Sequence, residues 1–263
     1  MPRTEVRGVE FEWSRSGQGP TTIWGHGLHG SRDVENRYGV IDHATLADHL
    51  DLVRYDARGH GESTTTTEPS TYSWDQMAQD QLALADALGI GTYVAAGASL
   101  GTATAIHAAV LAPDRIAKLV LVIPPTAWET RAQQVDLYER MARIAETKGT
   151  EPLIRALDQG PVPDPVVDDA DWFDNKVNNL RAVDPQRLAI RLRGAGTADL
   201  PPRELVGRIE APTLILAWSG DSGHPVDTAE QLHDLIAHSQ MVVSSTAADY
   251  RTWTARMIEF INS

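Results

Sequence analysis

The feature that most constrains this chain is a serine between two glycines at residues 97–101, which read Gly-Ala-Ser-Leu-Gly. An apolar stretch at residues 93–96 precedes it and predicts a short strand, and the small residues at 102–105 predict a helix packed tightly on a sheet. The chain must turn sharply between this strand and this helix, which forces Ser99 into strained backbone angles. The glycines on either side let neighbouring chain segments pass close by. The pattern predicts an exposed Ser99 hydroxyl beside the free N–H groups that begin the next helix.

Strand and helix patterns alternate along much of the remaining chain. Predicted strands lie at residues 6–14, 21–24, 52–56, 93–96, 116–123, 213–218 and 239–244, with helices at 72–88, 226–236 and 250–261. The run at 116–123 is apolar except for Lys118, as in a central parallel strand that is buried on both faces. This alternation predicts an α/β fold with a mostly parallel, doubly wound sheet.

The composition changes between residues 124 and 202, where nine of the fifteen prolines lie and helical patterns replace strands. Short helices interrupted by proline, with scattered apolar residues, suit a lid better than a second core. We therefore predict a helical cap at residues 125–205, inserted into an α/β core formed by residues 1–124 and 206–263.

Composition excludes several classes of function. The 263-residue chain has a formal net charge of −13, which disfavours binding to nucleic acid or anionic membranes. It has no cysteine, no apolar run long enough to span a membrane and no glycine-rich phosphate-binding motif. We expect a cytoplasmic protein that acts on a small-molecule substrate without a metal or cofactor, and the sequence leaves a homo-oligomer open.

Four motifs in one order resemble the α/β-hydrolase fold superfamily. They are His-Gly-Leu-His-Gly at residues 26–30, Asp-x-Arg-Gly-x-Gly-x-Ser at 56–63, the serine motif at 97–101, and Asp221 after a late strand. The resemblance covers nearly the whole chain and is weakest in the cap. Within the superfamily the chain is most similar to small ester and lactone hydrolases of the 3-oxoadipate enol-lactonase type.

The resemblance implies roles for particular residues. Ser99 would be a nucleophile that forms an acyl-enzyme, and Asp221 would be the acid of its triad. The backbone N–H groups of Leu28 and Leu100 would donate hydrogen bonds to the oxyanion. Each such donor typically lowers the activation barrier by about 3 kcal/mol. His29, in the same loop as Leu28, would line the pocket and contact substrate.

Other motif residues would be structural by the same resemblance. His26 would brace the oxyanion loop, and Asp56 and Arg58 would belong to a turn held by ion pairs. His60 is expected at the surface or behind the residues that contact substrate.

The resemblance fails at one position. In the superfamily a histidine follows the acid and lies on the loop after the last strand. Here residues 245–250 read Ser-Thr-Ala-Ala-Asp-Tyr, and the last histidine, His238, precedes that strand. A serine hydroxyl is a poor nucleophile near neutral pH unless a base takes its proton. The chemistry therefore depends on what replaces the missing histidine.

Three interpretations stay open. In the first, His224 is the base, oriented by Asp221 or, in a swapped arrangement, by Asp249. In the second, the base is His29. In the third, the triad is degenerate and the pocket serves ligand binding or a non-hydrolytic reaction such as elimination, isomerisation or cyclisation. We predict a serine hydrolase of a small ester or lactone with a non-standard base, and keep the third interpretation as the alternative.

Overall fold

The computed structural model describes residues 1–157 and 159–263. Within these residues the strands are β1 (Arg3–Val6), β2 (Val9–Ser16), β3 (Thr21–Gly25), β4 (Asp51–Tyr55), β5 (Tyr93–Ala98), β6 (Ile116–Val122), β7 (Thr213–Trp218) and β8 (Ser239–Ser244). They form one sheet in the order β1-β2-β4-β3-β5-β6-β7-β8. The pairs β1–β2 and β2–β4 are antiparallel and every other pair is parallel. The predicted α/β fold with a mostly parallel sheet is confirmed.

Helices cover both faces of the sheet. They are α1 (Arg32–Tyr38), α2 (His43–Ala47), α3 (Trp74–Ala87), α4 (Leu100–Leu111), α5 (Arg131–Lys148), α6 (Glu151–Leu157), α7 (Ala170–Ala182), α8 (Pro185–Gly196), α9 (Arg203–Val206), α10 (Val226–Leu235), α11 (Ala247–Tyr250) and α12 (Trp253–Asn262). Successive residues of β6 alternate between two apolar cores. Leu119 belongs to the core that includes residues of α3, α4 and α10, and Val120 belongs to the core that includes residues of α2 and α12. This alternation explains why the four successive residues 119–122 of β6 are all apolar and buried. None of the described helices is long and apolar enough to cross a membrane.

The segment between β6 and β7 carries α5 to α9. Leu188 and Leu192 of α8 and Ala142 of α5 belong to the same apolar core as α3 and α4. A Cβ at Gly194 would lie 2.3 Å from Cβ of Tyr72, so α8 packs directly against the 3₁₀ turn Pro69–Tyr72. The segment therefore extends the main core instead of forming a separate one, and we retain residues 125–205 as the proposed cap.

The prediction of one strand at residues 6–14 is wrong. The chain turns at Arg7 and Gly8, which have φ values of 51° and 72°, and Val6 pairs with Val9 across the resulting hairpin. Two successive residues with positive φ form the tight turn that suits a two-residue hairpin. The apolar residues Val6 and Val9 are three positions apart, so the alternation changes phase at the turn, and this shift was the signal that the prediction overlooked.

Candidate active site

The strained turn at Ser99 places its hydroxyl at the carboxyl edge of the sheet, at the point where β5 meets α4. Ser99 has φ 52° and ψ −107°, a conformation that L-residues rarely adopt. A Cβ at Gly101 would lie 2.0 Å from the carbonyl oxygen of Gly25, and one at Gly97 would lie 2.6 Å from the same atom. Both glycines are therefore required, because β3 passes directly against the turn.

His224 supplies a hydrogen-bond partner for this hydroxyl. Its Nε2 lies 2.8 Å from Oγ of Ser99, and its Nδ1 lies 2.8 Å from Oδ2 of Asp221. Because an ionised carboxylate only accepts hydrogen bonds, Nδ1 carries the proton and Nε2 is free to accept one from Ser99. Of the candidate bases, the structure brings His224 to the serine.

A short turn lets one loop supply both the acid and the histidine. The His224 amide donates to the carbonyl oxygen of Asp221 at 3.2 Å, which folds the chain back and brings the His224 ring onto the Asp221 carboxylate. Pro225 then directly precedes α10, so the His-Pro pair also opens a helix.

Asp221 is held in its ionised form. Burial by itself would raise the pKa of the carboxyl group. The adjacent His224 opposes this by the positive charge that it carries when protonated and by its hydrogen bond, and the Trp218 indole and the Gly223 amide each donate a further hydrogen bond at 2.9 Å. Together they hold the pKa of Asp221 well below its usual range. A carboxylate in this state can orient the His224 ring and stabilise an imidazolium.

The loop that carries Asp221 and His224 is fixed by hydrogen bonds from three other segments. Thr126, just after β6, donates its amide to the carbonyl oxygen of Gly223 at 3.1 Å. The backbone amide of Asp164 donates to the Ser219 carbonyl oxygen at 3.0 Å, and the Ser219 amide donates to the carbonyl oxygen of Ser244 in β8 at 3.0 Å. The loop position is thus set by the core on one side and by the segment between β6 and β7 on the other.

Two backbone amides beside the serine are free to donate. Within the described part of the chain, neither the Leu28 nor the Leu100 N–H has a hydrogen-bond acceptor. A Cβ on Gly27, which precedes Leu28, would lie 3.7 Å from Cβ of Ser99, so the loop lies directly against the serine. Leu100 is the first residue of α4, where unpaired amides and the helix dipole favour a negative charge.

Two buried histidines support this loop. The Ala57 amide donates to Nε2 of His26 at 2.9 Å, so Nδ1 of His26 carries the proton and donates to Gly27 at 2.8 Å. His60 is fully buried, which corrects the expectation that it could lie at the surface. Its Nε2 lies 2.9 Å from the carbonyl oxygen of Leu28 and so braces the loop from behind.

The other two sequence candidates lie elsewhere. The ring of His29 makes no hydrogen bond to Ser99 in the described residues, and the His29 backbone carbonyl accepts a hydrogen bond from Asn179 of α7. Burial, followed by the positive charges of Arg191 and Lys176, lowers the pKa of His29 to about 3, so its ring is neutral at pH 7. Asp249 is exposed and accepts hydrogen bonds at the start of α11, so it does not orient His224.

Sequence reasoning missed the residues that hold the site together. Trp218, Thr126, Asp164 and Asn179 each make a contact described above. Trp218 could have been found, because it is the last residue of a buried strand and directly precedes the acid loop. The other three lie in the proposed cap or at its edge, where the sequence carries no motif.

The fold and the geometry of the site define an α/β hydrolase. The sequence profile of the alpha/beta hydrolase fold family matches residues 23–254, so the chain belongs to that family. Membership of this family supports hydrolase activity in general.

Relatives of similar length have hydrolase names. The chain is 24% identical over 262 residues to the putative carbamate hydrolase RutD of Pseudomonas savastanoi, with 93% of this chain and 94% of that protein covered. It is 27% identical over 206 residues to 3-oxoadipate enol-lactonase 2 of Acinetobacter baylyi, with 76% and 72% covered. The crystal structure of the enol-lactonase from Burkholderia xenovorans superposes on this chain with a TM-score of 0.84 at 22% identity, and the alignment covers 100% of each chain. At that identity the structural likeness shows the fold alone.

Proposed function

We propose that this protein hydrolyses a small ester or lactone through an acyl-enzyme formed on Ser99. The observation that carries the proposal is the continuous chain of two 2.8 Å hydrogen bonds from Ser99 through His224 to Asp221. Each atom in this chain has the donor or acceptor character that general-base activation of a serine requires.

The proposed reaction has two halves. His224 Nε2 takes the hydroxyl proton while Ser99 Oγ attacks the carbonyl carbon, and the oxyanion accepts hydrogen bonds from the Leu28 and Leu100 amides. The imidazolium, stabilised by Asp221, then protonates the leaving alkoxide as the acyl–oxygen bond breaks. In the second half His224 takes a proton from water, the resulting hydroxide attacks the acyl group, and Ser99 leaves with its proton restored.

The substrate class is supported by the relatives. One relative is named an enol-lactonase and another a putative carbamate hydrolase, and both names describe hydrolysis at a carbonyl carbon bonded to a heteroatom. The alternative of a degenerate site rested on a missing base. The hydrogen bond between His224 and Ser99 supplies a candidate base and therefore favours hydrolysis.

A fluorophosphonate probe tests the proposal directly. The wild-type protein should be labelled on Ser99, which mass spectrometry of its peptides would locate, and should hydrolyse 4-nitrophenyl esters of short acids. Ser99→Ala should abolish both. Absence of labelling together with absence of ester turnover in the wild type would refute the serine-hydrolase proposal.

A further inference from the structure

Arg191 of α8 is a buried cation without a carboxylate partner. Arg191 is only 4% exposed, and its Nε donates to the Arg187 carbonyl oxygen at 3.3 Å. Across residues 1–157 and 159–263, its guanidinium forms no ion pair with a carboxylate, and the bond from Nε is its one hydrogen bond to the protein. Burial lowers the pKa of Arg191 to about 10, so it stays charged at neutral pH. The terminal nitrogens of Arg191 are not sealed from solvent, so they are free to donate to an anion that enters beside them.

The guanidinium faces a cavity of about 390 Å³ between the oxyanion loop and the proposed cap. His29 and Gly30 of the loop line one side, and Asn179 of α7 and Arg191 of α8 line the other. A space of this size admits a small organic acid or one end of a small substrate.

Other charged residues around this cavity make contacts within the protein, and the carboxylates of Asp33, Glu62 and Asp184 lie at its exposed rim. Arg32 lies 2.7 Å from Glu12 and 3.4 Å from Asp56, which accounts for both carboxylates. Asp184 accepts a hydrogen bond from the Arg187 amide at 2.9 Å as the N-cap of α8. The Arg187 side chain donates to the Ser63 carbonyl oxygen at 3.1 Å. Arg187 also has no carboxylate partner among the described residues and its Nε is unpaired, but it is less buried, so Arg191 is the most buried cation of the cavity without a carboxylate.

The cavity adjoins the reactive serine across a single loop. His29, in its wall, is two residues from Gly27, which lies against Ser99. The cavity and the serine site thus share the segment at residues 26–30, and Ser99 itself does not line the cavity.

We propose that Arg191 binds the carboxylate of a small molecule in this cavity. A guanidinium presents parallel N–H donors that match the two oxygens of a carboxylate, and a pair formed away from water is strong. The carboxylate belongs either to the substrate, which would then be an anionic ester or lactone, or to a separate small organic acid. Binding at Arg191 does not require Ser99 to react, so only the first source rests on the proposed function.

Thermal denaturation with acetate, succinate and glutarate tests the site itself. At constant ionic strength set with sodium chloride, at least one acid should raise the Tm of the wild type by a few degrees and leave that of Arg191→Gln unchanged. Arg193→Gln is the matched control, because Arg193 lies on the same helix but pairs with Glu146 and Glu139 of α5. It should respond to the acids as the wild type does.

The unliganded variants separate a binding role from a structural one. Arg191→Gln should be at least as stable as the wild type without added acid, because it removes an unpaired buried charge. Should that variant not fold, Arg191→Lys, which keeps the charge but loses the paired donors, should show a smaller response to the acids than the wild type. A wild type that ignores all three acids, or variants that respond as it does, would overturn the proposal.

Two esters then distinguish the sources of the carboxylate. The ratio of kcat/KM for mono-4-nitrophenyl glutarate to that for 4-nitrophenyl valerate should fall about 10- to 100-fold in Arg191→Gln when the substrate carries the carboxylate. An unchanged ratio with retained acid stabilisation of the wild type identifies a separate organic acid, which also supports the site. Failure of the wild type to hydrolyse either ester counts against the proposed function, while the thermal measurements still decide the role of Arg191.

Discussion

Two loops at the carboxyl edge of the sheet differ in what their polar side chains contact. The loop at residues 219–225 follows β7 and holds both Asp221 and His224 against Ser99. The loop at residues 245–246, with the short helix α11 after it, follows β8 and contains no histidine. The comparison teaches that a site of this kind is defined by which atoms reach the serine and not by the order of residues along the chain.

The two loops use their hydrogen bonds differently. In the second loop Thr246 and Asp249 bond to each other, with the Thr246 hydroxyl donating to Asp249 at 2.7 Å, and both are exposed. Such a capping box satisfies the amides that begin α11 and leaves nothing directed at Ser99. In the first loop a tight turn directs Asp221 inward, where it is half-buried and orients His224.

The largest expected effect is the loss of His224. His224→Ala should lower kcat/KM for an activated ester by about 10⁴- to 10⁶-fold, because the Ser99 hydroxyl then has no base. Steady-state kinetics with a 4-nitrophenyl ester would measure it, and circular dichroism would verify that the variant is folded.

Two further histidines make this test specific. His238→Ala, an exposed site before β8, should leave the rate unchanged. His29→Ala should cost far less than His224→Ala, since the His29 ring makes no hydrogen bond to Ser99 in the described residues. If His29→Ala proved the more damaging of the two, the base would lie in the oxyanion loop and our assignment would fail.

The next effect concerns the acid of the same loop. Asp221→Asn should lower kcat/KM by about 10³- to 10⁴-fold, because an amide can donate to His224 and so favours the wrong ring tautomer. The KM should change little, because Asp221 lies behind the histidine and not against the substrate. A loss much smaller than tenfold would mean that another group orients His224.

The sequence could predict the first loop only in part. The turn at Ser99 and the strand β7 follow from local patterns, because glycine spacing and continuous apolar runs have direct structural causes. The hydrogen bond between His224 and Ser99 joins residues 125 positions apart. It depends on backbone hydrogen bonds from Thr126 and Asp164 to the loop, and no sequence motif marks either residue. The burial of Arg191 could not be predicted either, because arginine side chains on helices are usually exposed to solvent.

A smaller effect tests the second loop. Thr246→Ala removes the side chain that accepts from the Asp249 amide at 3.3 Å and should cost about 1 kcal/mol of stability or less, as for other N-caps. Its activity should match the wild type, because no group of this loop that the structure describes reaches Ser99. Urea denaturation and ester kinetics on the same preparation would separate the two quantities. A loss of activity without a loss of stability would show that the loop takes part in the reaction.

The smallest expected effect is that of placing a histidine where the family has one. Ala248 is exposed on α11, and His224 already occupies the hydrogen-bonding position at Ser99. Ala248→His should therefore leave kcat/KM within about twofold of the wild type, the range expected of an exposed surface change. The double variant His224→Ala with Ala248→His should be as inactive as His224→Ala alone, because α11 directs residue 248 toward solvent. Recovery of tenfold or more in the double variant would show that the second loop can still reach the serine, and the two loops would then be interchangeable sources of the base.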